Sequence, residues 1–141
     1  MKVGVLHGSP KGEMSVTLQY VRYLQRKMPE HSWSIEQTAS RISKLERDTR
    51  AFEEIIAKVK EADIVLWSFP LYHLLVPSQM KRFIELVHER GAADAFFGKY
   101  AAAIMTSIHY YDHTARNYIH AVSEDLGMRF SGAFTPAMDD L

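Results

Sequence analysis

Ser9, Ser15 and Thr17 bring three hydroxyls into one short loop, with Lys11 between them. An apolar run ending at His7-Gly8 leads in, and a helix-like pattern starts at Ser15. This arrangement gathers hydroxyls, backbone N–H groups and the positive end of a helix around one small volume, which suits a phosphate. The amides of Met14 to Thr17 are expected along the helix start. Glu13 is expected to point outward, because a carboxylate beside a phosphate is repelled. The Gly-Lys-Ser/Thr ending of nucleoside-triphosphate loops is missing. A plainer reading stays open, in which Gly, Ser and Pro only make a tight strand-to-helix turn.

Two further segments carry rings where polar loops are usual. Pro70-Leu-Tyr-His-Leu-Leu-Val-Pro77 is apolar and aromatic. A flat ligand can lie against Leu71, Tyr72 and Leu75 while loop amides meet its polar edge. The same side chains would equally serve packing under the loop or a contact between subunits. Thr106-Ser-Ile-His-Tyr-Tyr-Asp-His113 is rich in rings and hydroxyls and can close the other side of a planar ring. His109, His113 and His120 have no supporting carboxylates beyond Asp112, so no metal site is expected. Asp112 is read as a helix N-cap. No Ser–His–acid order, paired carboxylates or other nucleophile stands out, which suits a protein whose ligand brings its own chemistry.

The elements that must position these loops alternate between strand and helix. Lys2–His7, Trp33–Thr38, Ile64–Phe69, Tyr100–Ser107 and Met128–Phe134 read as strands, and the continuous apolar run from Ile64 suits one buried on both faces. Helices are expected from near Ser15 to Pro29, from about Asp48, behind Pro77, and from near Asp112 to Gly127; Ala39–Arg47 reads as irregular. Five strands and four helices specify a doubly wound α/β domain over residues 1–141, a five-stranded parallel sheet of flavodoxin-like order 2-1-3-4-5. Its ligand site lies beyond the carboxyl ends of the first, third and fourth strands, where the three loops emerge. Thr135–Leu141 is too short for a closing C-terminal helix. An exposed apolar patch is therefore expected on the sheet, to be covered by a partner subunit or a further segment.

The composition removes other classes. Lys+Arg and Asp+Glu both number 17, so neither a nucleic-acid binder nor a strongly acidic electron shuttle is expected. With no cysteine there is neither a disulfide framework nor a thiolate-held iron–sulfur cluster in the chain. The apolar runs are strand-length and the first residues enter a strand, so neither a membrane span nor a signal peptide is expected, and the simplest location is the cytoplasm.

Taken together, the three loops resemble those of the flavodoxin-like NAD(P)H-dependent FMN reductase and iron–sulfur flavoprotein families. Gly8-Ser-Pro-Lys11 with Ser15 and Thr17 is similar to their phosphate loop. Phe69-Pro-Leu-Tyr-His73 through Val76-Pro-Ser-Gln-Met-Lys-Arg-Phe-Ile84 is similar to their second flavin loop and following helix. The resemblance spans essentially the whole chain. It implies FMN phosphate contacts from Ser9, Ser15, Val16 and Thr17, and Lys11 adds a cation to the same cofactor-binding loop. It implies ring contacts from Pro70, Leu71, Tyr72 and His73, with Thr106, Ser107, Ile108, His109 and Tyr110 on the far edge. Val16 offers only its amide where relatives often have a polar side chain, and the missing cysteines depart from the iron–sulfur branch.

The activity so implied is hydride transfer from NADH or NADPH to bound FMN, then onward reduction of a quinone, another flavin or a protein partner, by a homo-oligomer. His73 and His109 are candidates for tuning the flavin. Two alternatives are a non-enzymatic FMN electron-transfer module and a degenerate flavodoxin-like interaction domain with an empty site.

Overall fold

The continuous apolar run beginning at Ile64 is buried on both faces because side chains alternate across a strand. In the computed structural model, which describes residues 1–107 and 112–136, this run is strand β3 (Ile64–Pro70). Val65, Trp67 and Phe69 face one core, and Leu66 faces a second, smaller one. β1 (Lys2–His7), β2 (Ser32–Gln37), β4 (Tyr100–Thr106) and β5 (Arg129–Phe134) complete a sheet of order β2-β1-β3-β4-β5, parallel throughout.

The helices are α1 (Val16–Lys27), α2 (Ile42–Arg47), α3 (Thr49–Glu61), α4 (Ser78–Glu89) and α5 (His113–Asp125). Residues of α3, α4 and α5, such as Phe52, Phe83 and Ile119, fill the larger core against Trp67 and Met105. α1 covers the opposite face with Leu18 and Val21 against Val3, Val5, Leu66 and Ile104. Asp48 caps α3 by accepting from the Ala51 amide at 3.2 Å. Asp112 takes the N-cap position of α5 without a side-chain capping bond.

The strand order and the larger helices agree with the sequence reading; α2 corrects it. Ile42–Arg47 is helical where an irregular stretch is expected from the sequence. Leu45 is its one buried residue, so no apolar stripe marks the helix. The helix is held from outside, packed on α3 and α4.

No helix follows β5 among the described residues. The sheet beside α1 is left with an apolar groove of about 590 Å³ lined by Val16, Tyr20, Tyr23, Leu24, Ile104 and Phe134. Phe134 is 59% exposed and Tyr23 50%, so the expected bare patch is present. No helix among the described residues is long and apolar enough to cross a membrane.

Candidate functional site

The chain leaves β1 through Gly8, whose amide donates to the Ser68 carbonyl at 2.6 Å. A Cβ at Gly8 would stand 2.9 Å from the Met80 side chain, so only glycine lets the loop pass α4 this closely. A short 3-10 turn, Gly12–Met14, then folds back under Gly12 at φ +55°. Gly12 donates to the Ser9 carbonyl, Met14 to Lys11 and Ser15 to Gly12, each at 3.1 Å. The Met14 and Ser15 amides are thus consumed by the turn. The amides still free of an intrahelical acceptor are those of the first turn of α1, beginning with Val16 and Thr17.

Ser15 is the N-cap of α1, yet its hydroxyl makes no capping bond. The residue is 2% exposed and its Oγ has no hydrogen-bond partner. Serine at this position normally satisfies one of the helix's own amides. A buried hydroxyl without a partner costs about 1–3 kcal/mol. Here hydroxyl and amides are left together at the positive end of a helix, a donor set that fits an anion such as the phosphate end of a nucleotide-like cofactor.

The neighbouring polar groups close the cradle. Ser9 is fully buried and its Oγ accepts from the Lys11 amide at 3.2 Å. Thr17 Oγ1 lies 2.7 Å from Thr106 Oγ1 across the sheet. The Thr106 carbonyl accepts from the Leu71 amide at 2.9 Å, so this residue ties the loops after β1 and β3 to the end of β4. Glu13 is turned away as expected: it pairs with Arg22 and accepts from Gln37 at 3.2 Å.

After β3 the chain makes a tight reversal in which Tyr72 and Leu75 exchange both backbone bonds, at 2.9 and 3.0 Å. The central residues His73 and Leu74 have φ of +49° and +70°, the arrangement of a type I′ turn. Non-glycine residues reach this region only at a cost.

Between the loops lies a cleft of about 180 Å³. Ser9, Lys11, Ser15, Val16 and Thr17 form one wall. Pro70, Leu71 and Tyr72 form the second, with Thr106 and Ser107 on the β4 side. His73 sits exposed on the turn, outside the lining. Ile108, His109 and Tyr110 lie outside the described residues. The exposed Met14 side chain also lines the cleft, where sequence reasoning singles out only its amide. Larger hollows occur on the open sheet face and between α3 and the end of α4, but neither contains an unpartnered buried polar atom.

Beneath the loop lies a residue that sequence reasoning missed. His7 is fully buried, with Nδ1 3.0 Å from Ser68 Oγ. Burial lowers its pKa to about 4, against opposing pulls from the Gly12 backbone and Glu13. Its ring is neutral at physiological pH. An apolar strand ending in a titratable side chain was the available signal.

Comparison with curated protein sequences gives no match. Among solved structures, an oxidoreductase from Corynebacterium diphtheriae superposes with a TM-score of 0.80 at 14% identity, covering 99% of this chain and 83% of that one. An FMN-dependent NADH-azoreductase from Bacillus anthracis, in complex with FMN, gives 0.70 at 14%, covering 96% and 86%. An NADH:FMN oxidoreductase in its apo form gives 0.77 at 17%, covering 95% and 74%. At these identities the likeness establishes the flavodoxin-like fold. The sequence profile of the NADPH-dependent FMN reductases matches residues 1–139. With that match across nearly its whole length, the chain belongs to the NADPH-dependent FMN reductase family, flavin-dependent oxidoreductases with a nicotinamide donor.

Proposed function

We propose that the cleft between the β1, β3 and β4 loops holds FMN, with its phosphate at the start of α1. The buried, unpartnered Ser15 hydroxyl carries this reading. Ser15 Oγ and the Val16 and Thr17 amides donate to the phosphate oxygens, Ser9 shapes the turn beneath them, and Lys11 adds a cation at the rim. Pro70, Leu71 and Tyr72 supply an apolar wall for the isoalloxazine, with Thr106 and Ser107 opposite. His73, at the exposed turn tip, is the described residue next beyond this wall.

Bound FMN supplies hydride acceptance from NADH or NADPH and onward electron delivery. The chain's own residues bind and orient it, and none is assigned as an acid or base. The acceptor is proposed to be a quinone, a second flavin or a protein redox partner, and the working form a homo-oligomer that covers the open face beside α1.

The purified protein, or the protein after incubation with FMN, should show flavin absorption, and NADPH or NADH should bleach it. Ser15→Glu should abolish FMN uptake, since a carboxylate then occupies the phosphate position, while the far-UV circular dichroism stays unchanged. Wild-type protein that takes up no FMN overturns the reading. Flavin uptake without bleaching by either nicotinamide leaves a carrier instead of a reductase.

A further inference from the structure

Two hydroxyls meet at the cleft end of the layer between α1 and the sheet, where apolar contact is the ordinary filling. Thr17, the second residue of α1, is fully buried, and Thr106, the last residue of β4, is 3% exposed. Alternation along β4 puts Thr106 on the same face as Ile104, the face that α1 covers. Thr17 Oγ1 and Thr106 Oγ1 lie 2.7 Å apart, and either can be the donor. Replacing both partners of a buried hydrogen bond by apolar groups of the same shape is nearly neutral for stability. Two valines would fill this space as well, so packing does not account for the pair. Both residues also line the cofactor cleft.

An anion decides the direction of this bond. Phosphate oxygens accept, and a threonine hydroxyl carries one proton. With the Thr17 proton given to a phosphate at the start of α1, its lone pairs are what remain for Thr106. Thr106 then donates to Thr17 Oγ1 and Thr17 donates to the phosphate, each bond polarising the next. The Thr106 backbone is fixed meanwhile: it lies opposite Pro70 in register, and its carbonyl accepts the Leu71 amide at 2.9 Å. The hydroxyl is thus delivered from a rigid strand end. We propose that Thr106 is a specificity-determining positioning residue: acting through Thr17, it strengthens the hold on the phosphate and so favours FMN over an unphosphorylated flavin. The inference rests on the phosphate lying at the start of α1. It gives Thr106 a task separate from its place beside the ring.

The test compares FMN with riboflavin, which lacks the phosphate, by flavin fluorescence titration at neutral pH. Thr106→Val keeps the shape and removes the hydroxyl, whereas Thr106→Ser keeps the hydroxyl. The expected result is that Thr106→Val weakens FMN binding about fivefold and riboflavin binding less than about twofold, with Thr106→Ser close to wild type. Thr17→Val should also weaken FMN binding selectively. Adding Thr106→Val to it should cost nothing further, because the group through which Thr106 acts is gone. The doubly substituted apoprotein should keep wild-type stability in urea unfolding. Thr106→Ala gives the same readout if Thr106→Val does not fold.

Equal losses for the two flavins would assign Thr106 to the ring or the core and overturn the inference. A further loss of FMN binding from Thr106→Val in the Thr17→Val background would overturn it too, since Thr106 would then act by another route. Thr106→Ser as weak as Thr106→Val, or a doubly substituted apoprotein that is markedly destabilised, would do the same. These outcomes leave the cofactor reading standing. A wild-type chain that binds neither flavin overturns the cofactor reading, and this inference with it.

Discussion

At Ser15 the chain forgoes the hydrogen bond that an N-cap serine usually makes to its own helix, a bond worth about 1 kcal/mol. Ser9 and Thr17, by contrast, each have a partner before any ligand arrives. Ser15 was legible in the sequence as a helix-start hydroxyl. That it alone would be left unpartnered was not, because this depends on how the Gly12 turn consumes the neighbouring amides. His7 was illegible for a related reason: its neutrality follows from burial, and burial follows from packing. Its pKa falls from an ordinary 6.5 to about 4 on folding, with Glu13 favouring the charged ring and Arg22 opposing it. Between these two values the unfolded chain binds a proton at His7 that the folded chain does not. Stability should therefore fall as pH drops through this window. Urea unfolding at pH 7 and pH 4.5 should show wild type losing about 2–3 kcal/mol more than His7→Gln. Equal losses would mean that the wild-type ring is not buried neutral.

Among the elements, the strands were the most readable, since apolar runs at Ile64 and Tyr100 permit little else. Short pieces held by tertiary contact were not readable: α2 has Leu45 as its single buried anchor. The reversal at Tyr72–Leu75 was equally hidden, because His-Leu is not the Asn-Gly signal of a type I′ turn. Replacing His73 with Asn and Leu74 with Gly should therefore relieve backbone strain and stabilise the protein by about 1–2 kcal/mol in urea unfolding. Unchanged or lower stability would show that the native side chains favour this conformation through their own contacts. The family resemblance implies a ring contact at Thr106. The structure also gives it a joining role, through its hydroxyl to Thr17 and its carbonyl to Leu71. Such a role is invisible until three sequence-distant segments are brought together.

For the molecule as a whole, the two sides of the sheet are unequally furnished. Residues from α3, α4 and α5 build the larger core, while α1 is the only helix in the smaller one among the described residues. Val16 lines both the open groove and the cofactor cleft. Whatever rests on the groove presses on the same residue whose amide is proposed to meet the phosphate. If an occupant of the groove shifts Val16, the two occupancies are thermodynamically linked, and the linkage is reciprocal. If a second copy covers the groove, diluting the protein through its dissociation range should weaken FMN affinity, and saturating FMN should shift that range to lower concentration by the same factor. Analytical ultracentrifugation with and without FMN, beside flavin titrations at several protein concentrations, measures both. An FMN affinity independent of protein concentration across that range would separate the two events. A second copy bound there and coupled to the cofactor through Val16 would make FMN loading follow the protein's own concentration, rising when copies are plentiful and falling when they are scarce.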